Sequence, residues 1–258
     1  MLAINEGTER VSIPSRGISG SALKLIAIVT MLVDHVGAAL IEVGILCTYD
    51  WPRFTLIMQT DRGMFWYQVD TVCRTVGRVS FPIFCFLLVE GFVHTRNLKR
   101  YTINMFLFAL MSEIPFDMAF QRVYFGFDSQ NVFFTLFIGL LVLTGLRRFQ
   151  EREYARLLVI VLGCAAAYVL HTDYDIFGIL LITALYMLRE DRRKTCLIGG
   201  LMMIYESFSY FCSGALAFIP IWFYNGTRGK IKLKYFFYCF YPAHLILLYL
   251  IRTFVMRL

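Results

Sequence analysis

The stretch SALKLIAIVTMLVDHVGAALIEVGIL, Ser21–Leu46, decides the fold. It is almost wholly apolar, and about 20 such residues cross the hydrocarbon core of a bilayer as a helix. Further apolar segments follow at Thr71–His94, Ile103–Gln121, Asn131–Leu146, Ala155–Leu170, Tyr174–Leu188, Thr195–Cys212, Ala215–Tyr224 and Tyr235–Ile251. Ala215–Tyr224 is too short to cross about 30 Å upright, so it re-enters the bilayer or runs into its neighbour. The expected fold is all-α: a polytopic integral membrane helical bundle of eight to nine transmembrane helices. Composition agrees. Of 258 residues 59% are hydrophobic and 17% charged, against about 25% charged in a soluble domain. This excludes a soluble globular enzyme and a disordered chain.

Lys and Arg fall in short clusters between these segments. Arg10 to Lys24, Arg96 to Arg100, Arg147 to Arg156, Arg189 to Lys194 and Arg228 to Lys234 share one side, while the other carries Arg53, Arg62, Arg122, Arg252 and Arg257. Cytoplasmic loops are the basic ones, so the N-terminus is expected in the cytoplasm and the C-terminus outside. The net charge of +7 is then a topology signal and implies no nucleic-acid partner. Residues 1–20 read as a polar cytoplasmic segment, without a secretory signal. Residues 21–258 read as a single transmembrane domain, with an extracytoplasmic loop at about 47–70 whose Trp51, Trp66 and Tyr67 suit the headgroup layer. The seven cysteines form no CxxC or other metal spacing, and no metal is expected.

A charge at membrane depth costs several kcal/mol, which makes each one a functional suspect. The chain places Asp34, His35, Arg74, Arg78, Glu90, His94, Glu113, Asp117, Glu206 and His244 inside or at the ends of its apolar segments. Helical spacing puts Arg74 with Arg78, Glu90 with His94, and Glu113 with Asp117 on shared faces. Asp34 and His35 are adjacent and diverge by about 100° around a helix, so each needs a partner on another segment. Arg74, Arg78, Glu113, Asp117 and Glu206 fall in outer halves, Asp34, His35 and His244 near mid-depth, and Glu90, His94 and Arg96 at the cytoplasmic mouth. The loop His171-Thr172-Asp173-Tyr174-Asp175 lies outside. Pro82, Pro115, Pro220 and Pro242 interrupt segments and free carbonyls, a break tolerated where it lines a cavity. The same arginines and carboxylates can equally serve as salt bridges that hold helices together.

Several of these residues sit in stretches that resemble the TraX family: LKLIAIVTMLVDHVGA (Leu23–Ala38), VGRVSFPIFCFLLVEGFVHTRN (Val76–Asn97) and LMSEIPFDMAF (Leu110–Phe120). NVFFTL (Asn131–Leu136), DYDIFGILL (Asp173–Leu181), YNGTRG (Tyr224–Gly229) and FYPAHL (Phe240–Leu245) follow in order. The likeness runs from about Leu23 to Leu250. It implies a bacterial inner-membrane protein of a family whose founding member acetylates the N-terminus of the conjugative pilin. It also implies a distant similarity to transmembrane acyltransferases that draw on cytoplasmic acyl-CoA, in which an early histidine and nearby arginines are essential. By analogy these roles fall on His35, Arg74 and Arg78.

Under that resemblance His35 is the general base and Arg78 or Arg74 stabilises the oxyanion, with Asp34 or Glu113 orienting the imidazole or holding the arginines. Acetyl-CoA, the expected acyl donor, brings phosphates to Arg96, Lys99, Arg100 and the Arg228–Lys234 cluster, beside Glu90 and His94. The acceptor (a pilin, another peptide N-terminus, a glycan or a lipid headgroup) approaches past His171, Asp173 and Asp175, with Asp117, Glu206 and His244 along the path. Two other readings compete. Intramembrane carboxylates and histidines also serve proton-coupled transporters, although no internal repeat is visible. A non-catalytic assembly factor of a conjugation or secretion system would tolerate changes at His35 and Arg78.

Overall fold

The computed structural model describes residues 17–229 and 234–256 of the chain. Most of the polar segment 1–20, with Arg10 and Arg16, lies outside the described residues, as do Lys230, Lys232 and Arg257. The described residues form helices and no strand; Ile18 with Tyr224 and Gln130 with Thr172 make isolated bridges. Among the described residues three helices are long and apolar enough to cross a membrane: Gly20–Ile45, Asp61–His94 and Leu98–Gln121. Shorter apolar helices include Asp175–Met187, Ser213–Trp222 and Cys239–Val255.

The elements are α1 (Gly20–Val36), α2 (Trp51–Met58), α3 (Asp61–Gly77), α4 (Ser80–His94), α5 (Leu98–Phe116), α6 (Val132–Arg148), α7 (Glu153–Val169), α8 (Asp175–Met187), α9 (Arg192–Glu206), α10 (Phe218–Trp222) and α11 (Lys234–Leu250). Three of them end in wider π-helical turns: α1 over Gly37–Ile45, α5 over Asp117–Gln121 and α11 over Ile251–Val255. Local sequence starts many of these helices. Ser19, Asp50, Thr60, Asn97, Asn131 and Asp191 each accept a first-turn N–H, the role for which short polar side chains are preferred. The apolar stripe Leu23, Ala27, Ile28 and Met31 then buries α1 against α3 and α4.

Two stretches carry more helix than apolar run length alone implies. The stretch 47–70 is largely helical, since α2 fills Trp51–Met58 and α3 starts at Asp61 after a short turn. Pro52 in the first turn of α2 and the Asp50 and Thr60 caps provide the local reason. The segment expected over Thr71–His94 is therefore the second part of a 34-residue helix, Asp61–His94, that breaks at Arg78–Val79. Pro82 cannot donate to the Arg78 carbonyl, which accounts for the break.

The segment Ala215–Tyr224 is as short as expected. After Ser207 the chain forms 3-10 turns at Phe208–Tyr210 and Ser213–Ala217, then the five-residue α10. This irregular backbone docks on the α3–α4 break, where the Ser213 hydroxyl donates to the Thr75 carbonyl at 2.7 Å.

Loops expected on one side of the bilayer meet. At one end, Gly20 N–H donates to the Thr227 carbonyl at 2.8 Å and Ser21 N–H to the Arg228 carbonyl at 3.1 Å, tying the start of α1 to the 224–229 loop. At the other, Gln130 N–H donates to the His171 carbonyl at 2.9 Å, and the Arg122 guanidinium lies 4.3 Å over the Tyr49 ring.

Candidate functional site

Small residues bring α1 and α3 together. A Cβ on Gly37 would meet the Cys73 Cβ at 2.8 Å, and one on Gly77 would collide with the Asp34 carboxylate. This close approach lets Arg74 donate to Asp34, Nη1 to Oδ2, at 2.7 Å. The Arg74 Nε lies 3.7 Å from Glu42, two turns beyond Asp34 on the continuation of α1. Both members of the Asp34–Arg74 pair keep less than a fifth of their side-chain surface exposed. At the helix break, Arg78 points to Glu206 at the end of α9 (3.7 Å), and its guanidinium sits 4.5 Å over the Tyr210 ring.

His35 turns away from Asp34 and finds its partner on α11: its Nδ1 lies 2.6 Å from Nε2 of His244. Nδ1 of His244 is 2.7 Å from the Phe240 carbonyl. Phe120 and Tyr241 stand edge-on to the His35 ring, with centroids at 5.2 and 5.7 Å. Asp34, His35, Glu42, Arg74 and Arg78 line one recess of about 290 Å3, together with Thr48, Phe116, Phe120, Asp173 and Tyr174. The recess thus opens among the loops at residues 48 and 173–174, the end expected outside.

The loop carboxylate belongs to this recess. Asp173 reaches solvent, yet protein walls it on most sides; that burial, and the negative charge of Asp34, push its carboxyl up to about 6 against the pull of Arg78 and Arg74. Buried polar atoms are normally paired. Here Asp34 Oδ1, Arg78 Nε and Glu206 Oε2 have no hydrogen-bond partner within the protein.

Other candidates lie elsewhere. Glu113 is buried and accepts from the backbone N–H and side-chain amide of Asn131, which itself caps α6 by accepting from Phe133 N–H at 3.0 Å. Asp117, fully buried, accepts from Gly126 N–H at 2.7 Å. The arginines thus pair with Asp34, Glu42 and Glu206, while Glu113 and Asp117 fix the entry to α6 and its preceding loop. His171 is exposed and Asp175 opens α8, both with left-handed backbone at φ 49° and 43°.

Glu90 and His94 sit together at the opposite end of the bundle, 3.8 Å apart, with His94 Nδ1 2.9 Å from the Glu90 carbonyl. Arg96, Lys99 and Arg100 are exposed beside them at the start of α5; of the 228–234 cluster, the Arg228 carbonyl receives the Ser21 hydroxyl.

Glu42, Asp70 and Arg252 are groups that sequence reading passed over. Glu42 has a signal, lying eight residues after Asp34 on one helix. Asp70 is buried where α3 meets Gly37, in the stretch first read as a loop. Arg252, counted as a loop charge, is 2% exposed and donates to the Met118 and Ala119 carbonyls.

A protein of Dichelobacter nodosus described as "Probable fimbrial assembly protein FimC, serogroup H1" is 30% identical, over 91% of this chain and 96% of its own length. No solved structure matches. The family described as TraX protein matches residues 19–252, and the chain belongs to that family.

Proposed function

We propose that the protein is a membrane acetyltransferase that moves an acetyl group from cytoplasmic acetyl-CoA to an extracytoplasmic acceptor, in the manner of pilin N-terminal acetylation. One observation carries the reading: His35, Arg74 and Arg78, from two different helices, line the same recess. The acceptor amine attacks the acetyl carbonyl; a C–N bond forms and the C–S bond breaks. His35 takes the proton that the nitrogen sheds and returns it to the departing thiolate, giving amide and free CoA. The guanidinium of Arg78 or Arg74 faces the oxyanion of the tetrahedral intermediate, and Asp34 holds Arg74 in place. Carboxylates of Glu42 and Asp173, lining the same recess, suit an incoming ammonium group, which gives one proton to solvent before it attacks as the neutral amine.

The exposed Arg96, Lys99 and Arg100 offer the phosphates of CoA a site at the opposite end. In this reading the bundle sits in the bacterial inner membrane with eight or nine passes and the N-terminus inside, and the 207–222 segment is re-entrant. A second reading, a non-catalytic fimbrial assembly factor, draws on the Dichelobacter nodosus relative, described as a probable fimbrial assembly protein.

The test uses full-length protein in nanodiscs. Calorimetry measures acetyl-CoA binding, and mass spectrometry follows acetyl transfer to a synthetic peptide with a free N-terminus. Wild type should bind and transfer; His35→Ala should bind without transfer. Absence of acetyl-CoA binding by folded wild type overturns the enzyme reading. Pilus assembly that survives His35→Ala and Arg78→Ala favours the assembly factor.

A further inference from the structure

The hydrogen bonds around His35 carry direction as well as distance. A carbonyl oxygen can only accept, so the 2.7 Å contact between His244 Nδ1 and the Phe240 carbonyl places a proton on that nitrogen. In a neutral imidazole the other nitrogen is then a lone pair. Nε2 of His244 therefore accepts, and its 2.6 Å neighbour, Nδ1 of His35, donates. That leaves the second nitrogen of His35, Nε2, bare.

The alternative is an imidazolium at His244 that donates in both directions. His244 is 4% exposed, its ring lies parallel to Phe240 at 4.8 Å, and Tyr241 stands edge-on at 5.6 Å. Among the described residues no carboxylate lies within salt-bridge distance of it. A buried cation without a partner is strongly disfavoured, so the neutral chain prevails.

We propose that His244 is a positioning residue: with the Phe240 carbonyl it locks His35 in the Nδ1–H tautomer and presents Nε2 as the proton-accepting atom. This deepens the acyltransferase reading by assigning the reacting nitrogen and the group that orients it, work that a carboxylate does in other catalytic triads. Here the carboxylate next in sequence, Asp34, is committed to Arg74. The geometry comes from α11, where Pro242 lies inside the helix between the carbonyl and the ring it holds. In the transfer step His35 Nε2 takes the proton from the acceptor nitrogen and gives it to the thiolate, while Nδ1–H stays bonded to His244 throughout.

The test separates tautomer from activity. Full-length protein labelled with 15N-histidine, in nanodiscs, reports the protonated nitrogen of each ring by its two-bond proton–nitrogen couplings; His35→Gln and His244→Gln spectra assign the two signals. The expected result is Nδ1–H for both His35 and His244. His244→Leu should release His35 into the Nε2–H form and lower kcat about 100-fold or more, with acetyl-CoA affinity kept. His244→Gln offers an acceptor oxygen near the lost Nε2, and should restore the His35 tautomer and part of kcat. An Nε2–H His35 or a doubly protonated His244 in wild type overturns the proposal. So does His244→Leu with an unchanged His35 signal. The predicted tautomer in a protein without transfer activity would remove the acyltransferase reading and leave the tautomer chain standing.

Discussion

Asp34 accepts a 2.7 Å hydrogen bond from Arg74, although 40 residues of sequence separate them. The pair is partly enclosed, and Asp34 keeps one oxygen without a protein partner. Arg74→Gln should therefore reduce acetyl transfer about 100-fold and lower the melting temperature, because it strands a carboxylate. Adding Asp34→Asn removes the stranded charge. The double variant should melt higher than Arg74→Gln alone while staying inactive. Melting curves of both variants in detergent check this, and strictly additive losses would show that the pair is not coupled.

Gly77 is the contact that permits this pair. An added Cβ would run into the Cβ and carboxylate of Asp34, which cannot both swing aside. Gly77→Ala should cost about 1–3 kcal/mol of stability, the usual penalty for overpacking, and should disable transfer by displacing Asp34. Gly200 supplies the control. It also sits in a helix, but nothing lies within 4 Å of its added Cβ. Gly200→Ala should be neutral or gain about 0.5–1 kcal/mol.

The helical character of the chain and most element boundaries were legible because apolar run length and basic clusters are local signals. The helices within 47–70 were passed over for a local reason too: apolar run length left the stretch between segments, while Asp50, Pro52 and Thr60 marked two helix starts. The site was legible only in part. Depth singled out Asp34, His35, Arg74, Arg78 and His244, and helical geometry excluded an Asp34–His35 dyad. Which partner each residue takes depends on helix crossings, so the pairings of Arg78 with Glu206 and His35 with His244 had no sequence signal. Arg252 illustrates the same limit. Counting charges by side placed it among the arginines outside the apolar segments, but the π-helical end of α11 carries it into the bundle.

Arg252 should act on the recess from a distance. Its guanidinium binds the carbonyls of Met118 and Ala119, immediately before Phe120, whose ring packs on His35. Arg252→Met keeps the side-chain length and leaves those carbonyls without their donor. A loss of about 1–3 kcal/mol follows for an unsatisfied buried group, and the floor of the recess should loosen. The expected signature is a lower melting temperature with a raised acceptor KM and unchanged acetyl-CoA affinity. Arg252→Lys, which can serve one carbonyl, should fall between the variant and wild type.

Asp173 gives the pH dependence. Enclosure and the charge of Asp34 raise its carboxyl from the usual range to about 6, so it is ionised above that pH and neutral below. A folded-state value above the unfolded one means that ionisation works against the fold. Its favourable contribution is complete below about 4 and is lost as pH rises through about 6. Asp173→Asn should accordingly raise the melting temperature at pH 8 and leave it unchanged near pH 4. Activity should move the other way, because the ionised form is the one that receives an ammonium group. In wild type the acceptor KM should climb as pH falls through about 6. In Asp173→Asn it should be high and nearly flat over the same range, leaving the protonation of His35 as the source of any remaining acid limb in kcat. A variant that loses stability at pH 8, or keeps the wild-type KM profile, would mean that Asp173 neither pays an ionisation penalty nor meets the acceptor.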